Sequence, residues 1–177
     1  MIRWLCLSIC FIFGFNTFGN VVAANTGRIP LEEALFDIGY RPVEEALKTC
    51  ESYFNKKIKI PYKLPPIAFT HQLGRCNHTI GINNELEVEL INENIPKNHY
   101  VIRVRPSEHR INFTQERIDK KYKISNGTYA LYVTNRAQVQ NFLVFEKDGW
   151  QYMLGIDKRI SDKIPPKVLI EIADSFL

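Results

Sequence analysis

An α+β fold, a meandering antiparallel β-sheet with N-terminal helices and a C-terminal helix packed on it, is what this sequence predicts. Three observations carry that expectation. Two segments, residues 85–91 and 100–105, alternate, with Glu85, Glu87 and Glu89 in the first and Arg103 and Arg105 in the second at every other position, the period of a half-buried strand. Asn126-Gly127 and Asp148-Gly149 are two-residue hairpin signals, each flanked by β-rich runs. Apolar residues recur at three- and four-residue spacing only near the two ends of the chain, which places helices there.

The elements follow in order. Residues 1–24 read as a secretory signal. Met1-Ile-Arg3 supplies a positive start, residues 4–18 an apolar run, and Val22-Ala-Ala24 small residues for a peptidase. Cleavage is expected between Ala24 and Asn25. The rival reading is an uncleaved anchor, against which Gly14, Asn16, Gly19 and Asn20 interrupt the run. A lipoprotein reading would use Cys10, but Ile9 precedes it where a small residue is needed. Residues 25–57 form a helical segment, and residues 58–177 a β-rich part ending in a helix. Together, residues 25–177 are one globular unit.

Residues 29–40 read as a first helix, with Pro30 near its start and Gly39 at its end. A second runs from Pro42 to about Asn55, with Val43, Ala46, Leu47, Cys50 and Phe54 on one stripe. Pro61, Pro65 and Pro66 make residues 59–68 an extended edge segment. Residues 69–75 are a candidate strand. In the next hairpin, a turn centred on Ile95 sets Leu90 against Tyr100, Val88 against Ile102 and Leu86 against Val104. The same register sets Glu87 against Arg103 and Glu85 against Arg105, so the apolar face and the charges agree. A two-residue turn at Asn126-Gly127 sets Ile124 against Tyr129 and Tyr122 against Leu131. Asp148-Gly149 sets Phe145 against Tyr152, Leu143 against Leu154 and Val144 against Met153. That last hairpin is apolar on both faces, so it is expected to be central and covered on both. Pro165-Pro166 opens a closing helix with Leu169, Ile172, Ala173 and Phe176 on its stripe.

With 177 residues, 45% hydrophobic and 24% charged, the chain can build one core. A formal charge of +4 favours anionic surroundings and is too small to argue for nucleic acid. Signal cleavage removes Cys6 and Cys10 and leaves Cys50 and Cys76. A bridge between these two would close a loop of about 27 residues, worth roughly 3 to 4 kcal/mol. The alternative is a pair of buried free thiols.

Local signatures of chemistry are missing. His71, His78, His99 and His109 have no metal-ligand spacing, and there is no HExxH, CxxC, GxSxG or phosphate-binding glycine loop. No cofactor is expected. Glu32-Glu33 and Glu44-Glu45 read as solvated helix faces. Basic clusters at Lys56-Lys57-Lys59, Lys120-Lys121-Lys123 and Lys158-Arg159 make an anionic wall or membrane surface a candidate partner, and nucleic acid is not expected. Asn77, Asn112 and Asn126 begin glycosylation sequons.

Phe142-Leu-Val-Phe-Glu-Lys-Asp-Gly-Trp-Gln-Tyr-Met153, with Ile156-Asp-Lys-Arg-Ile160 and Leu169-Ile-Glu-Ile-Ala-Asp-Ser175, resembles the end of an uncharacterised family. That family, labelled a domain of unknown function, occurs in exported and membrane-anchored proteins of Bacillus-type Gram-positive bacteria. Residues 60–71 and His99-Tyr-Val-Ile-Arg-Val-Arg105 are similar to it too, so the resemblance spans roughly residues 58–176. It implies an extracytoplasmic protein, and makes the sequons idle. It brings no catalytic residues, and Cys50 and Cys76 are not among its motif positions. Some members are extracytoplasmic parts of sigma-factor regulators. The expectation is therefore a secreted, non-enzymatic protein that binds a ligand, a partner protein or an envelope component. The alternatives are a sensory or regulatory partner of a membrane signalling complex, and an enzyme of unrecognised type using His71 or His99.

Overall fold

In a computed structural model, residues 30–78, 84–125, 127–134 and 139–176 are described. The segment read as a signal, with the expected cleavage between Ala24 and Asn25, lies outside them, and so does Asn126. The described residues form an α+β fold: an eight-stranded, wholly antiparallel sheet with three helices. Among the described residues no helix is long and apolar enough to cross a membrane.

Helix α1 covers Leu31–Asp37, shorter than the sequence predicts, because Gly39 takes a left-handed φ of 93° and turns the chain. Two residues then pair as β1, Arg41–Pro42. Helix α2, Val43–Phe54, matches the expected span. Pro42 stands at its N-cap, and Asn55 ends it in the left-handed conformation. Ala46 and Cys50 of its stripe are buried, with Val43, Leu47 and Phe54 packed against the same core. The helix lies on β2, His71–His78, where a Cβ at Gly74 would come within 2.8 Å of the Ala46 Cβ. The glycine therefore sets the close helix–strand approach.

Residues 59–68 overturn the expected edge segment. They form no strand; the chain crosses the helix-bearing face of the sheet as a strap. Its prolines have no N–H for a ladder, so the strap is pinned by side chains and by the C-terminal end of the chain. Trp150 Nε1 donates to Lys57 O (3.0 Å) and Tyr152 Oη to Lys59 O (2.9 Å). Tyr62 N and Lys63 N donate to Ser175. Ile58, Ile60, Ile67 and Phe69 join the core beneath.

Strands β3, Asn84–Ile91, and β4, His99–Pro106, pair in the predicted register: Leu90 with Tyr100, Val88 with Ile102, Leu86 with Val104 and Glu87 with Arg103. The Asn92 side chain shapes the turn by accepting from Asn94 N and Ile95 N. Strands β7, Gln140–Lys147, and β8, Trp150–Asp157, also pair as expected, through Asp148 and Gly149, both at positive φ.

The remaining hairpin is corrected by one residue. Between β5, Ile118–Lys123, and β6, Tyr129–Val133, Lys123 faces Tyr129 and Tyr122 faces Ala130. The loop holds three residues, 125–127, not two, with Gly127 at φ +84 and Ile124 N donating to Thr128 O. A three-residue loop closed by a left-handed glycine is a common alternative to the two-residue turn. This register places Tyr122, Ile124, Ala130 and Tyr132 together on the helix-covered face.

The strand order is β1-β2-β3-β4-β8-β7-β6-β5, so β8 lies centrally between β4 and β7. One face meets α2, the strap and helix α3, Pro166–Ala173, whose Leu169, Ile172 and Ala173 are buried. Phe176, just past α3, meets Tyr152 edge-on at 4.8 Å and Phe145 at 5.9 Å. The opposite face carries Val101, Val133, Phe142, Val144 and Met153 under Ile111 and Phe113. Both faces of the central hairpin are covered, as its sequence requires.

Candidate functional site

On the second face, β2 to β4 carry ions where the neighbouring strands carry hydrocarbon. Alternation puts Glu85, Glu87 and Glu89 of β3 between Arg75 of β2 and Arg103 and Arg105 of β4. Glu87 is 4% exposed, and it accepts from Tyr40 Oη (2.5 Å), Arg75 Nη2 (2.9 Å) and Arg103 Nη2 (2.9 Å). Glu85 pairs with Arg105, and both are almost wholly buried. Burial outweighs the pull of Arg105 and Arg103, so the Glu85 carboxyl lies above its ordinary range. His99 Nε2 meets Glu89, and that contact raises the imidazole above its usual value against the opposing effect of burial. Arg159 holds the Asp157 carboxyl low.

The sequence showed Glu85 with Arg105 and Glu87 with Arg103. It missed Tyr40 and Arg75, which arrive from outside the hairpin, and His99, a diagonal neighbour of Glu89 in the register. This network leaves each carboxylate with a partner, which makes it a structural brace.

The second cluster lies at the end of α2. Lys48, Lys56, Lys57 and Lys59 are exposed, and they line three clefts of about 530, 480 and 310 Å³. The clefts share walls. Lys48 and Ser52 line the first two, and Lys56 and Lys57 the last two, so these open clefts adjoin one another as a shallow groove. It starts at Tyr53 and His78, whose rings lie 5.3 Å apart, follows α2, and ends at Asp148 and Trp150. Lys56 Nζ lies 4.8 Å from the centroid of the Trp150 ring and donates to Gly149 O at 3.2 Å. Glu51 bonds Lys57 (2.7 Å) and the Ile58 N–H (3.1 Å), bending the chain off the helix; the Lys57 bond holds its carboxyl low. The lysines also oppose the negative end of the α2 dipole. The sequence showed Lys56-Lys57-Lys59 as a run. Lys48 was invisible as a member, because only the helix brings it alongside.

Cys50 and Cys76 form a disulfide, with Cα atoms 5.3 Å apart, that ties α2 to β2 behind the groove. The four histidines do not gather. His71 bonds Thr70, His78 meets Tyr53, His99 meets Glu89, and His109 ends a 3-10 turn. Among the described residues no group of three His, Cys, Asp or Glu could hold a metal ion. Glu32, Glu33, Glu44 and Glu45 are exposed on the first turns of their helices.

Comparison with known proteins adds no relative: no family model, no curated protein and no solved structure matches this chain.

Proposed function

We propose that this chain is an exported, non-enzymatic binding domain whose contact surface is the lysine groove along α2. One observation carries the reading. Lys48, Lys56, Lys57 and Lys59 line adjoining clefts to which, among the described residues, only Glu51 and Asp148 bring negative charge. The glutamates of β3, by contrast, are each paired with Arg75, His99, Arg103 or Arg105. Export is supported by the pattern of residues 1–24 and by a disulfide of the kind that persists in oxidising compartments.

The experiment has two arms. Purified residues 25–177 should co-sediment with the native envelope, and the variant Lys48→Gln/Lys56→Gln should remain in the supernatant. The same protein should release no product from wall, lipid or peptide substrates above background. Turnover of any of these would replace the binding domain with an enzyme. Equal sedimentation of the variant would move the contact surface elsewhere.

A further inference from the structure

Resting on the groove reading above, we infer that the ligand is a linear polymer of phosphate groups, lying along α2 from the Tyr53–His78 pair to the Trp150 corner. The shape excludes a compact ligand: three open clefts in series, sharing walls, fit a chain. The cations are spread along it: Lys48 midway, Lys56 and Lys57 at the helix end, Lys59 on the strap. A single anion would meet one or two of them, whereas a repeating anion meets all.

The kind of cation narrows the chemistry. The strongly basic side chains lining the groove are all lysine. Lysine acts as a mobile point charge with rotatable donors, which suits a phosphate presented from varying directions. The arginines at Arg75, Arg103 and Arg105 are instead committed to the carboxylates of β3. Ser52, Asn55 and Thr49 add neutral hydrogen-bonding groups on the groove wall. Lipid headgroups present the same phosphate chemistry, so anionic vesicles form a separate arm of the test.

Trp150 provides the readout. After removal of residues 1–24 it is the only tryptophan of the chain, since the other is Trp4. Lys56 stands over its ring, so a polymer that draws Lys56 away changes its emission. The probes are long-chain inorganic polyphosphate, orthophosphate at equal total phosphate, and vesicles of anionic phospholipid. Polyphosphate should shift Trp150 emission and bind more weakly as salt rises, while orthophosphate and vesicles should not reproduce this. Lys48→Gln/Lys56→Gln should weaken polyphosphate binding by about tenfold or more, read by calorimetry because this variant alters the reporter. Lys120→Gln/Lys123→Gln, on β5, removes the same charge and should leave affinity unchanged. Circular dichroism and the melting temperature confirm that each variant is folded.

Equal loss in both variants would reduce the effect to net charge and overturn the inference. So would orthophosphate or vesicles matching the polymer. Envelope co-sedimentation that needs Lys48 and Lys56, without polyphosphate binding, would overturn the ligand class and leave the groove reading intact.

Discussion

Glu85 and Arg105 face each other beneath the surface of β3 and β4, and the pair costs as well as contributes. Two ions are drawn out of water, and their attraction must offset that loss. The raised Glu85 carboxyl shows that it does so incompletely. Arg105→Met should therefore destabilise the protein by about 3–5 kcal/mol, because a carboxylate is left buried. Glu85→Leu/Arg105→Met should recover most of that loss. Urea melts of the single and double variants decide it; a double variant as weak as the single one would contradict this account. His99 gives a pH dependence. Glu89, with Asp157 and Glu87 adding charge, raises the folded-state value above the ordinary 6.5. Its stabilising contribution is thus complete below pH 6.5 and fades as pH rises through the folded-state value. The urea midpoint of the parent should fall across that window relative to His99→Gln. Parallel profiles would remove His99 as the source.

At the scale of elements, legibility followed locality. The β3–β4 register was readable because two patterns, apolar pairs and opposite charges, agreed on one alignment. The β7–β8 hairpin was readable because Asp148 and Gly149 both accept positive φ. Asn126-Gly127 misled by one residue: the dipeptide marks a turn, but the loop length was set by which side chains the core needed, Tyr122 and Ile124 among them. The groove was half readable, since a lysine run shows in sequence and a helix's approach to a distant hairpin does not. Cys50 and Cys76 show the same limit. The stripe on α2 put Cys50 inward, yet only the seat of Ala46 on Gly74 brings that stripe against β2. Reduction of this disulfide, or Cys50→Ala/Cys76→Ala, should cost about 3 kcal/mol through the loop it closes. Matching urea midpoints with and without reductant would show that the helix is held by packing alone.

The whole molecule is two meanders zipped together. Strands β1 to β4 run neighbour to neighbour, as do β5 to β8, and within the sheet of the described residues the two halves join where β8 lies against β4. Nothing local foretells that seam, because its partners are about fifty residues apart and both are apolar enough to sit beside many strands. The strap was illegible for a related reason. Its prolines exclude a ladder, but what they lie against is decided by Trp150, Tyr152 and Ser175, far along the chain. The strap also runs entirely within the span closed by Cys50 and Cys76. A protease that cuts there therefore makes two fragments that stay joined. The nicked protein should migrate as one species until thiol is added, and keep α2 tethered to the sheet in the meantime. The disulfide thus keeps a single cut in a segment that no strand protects from separating the helix from the sheet.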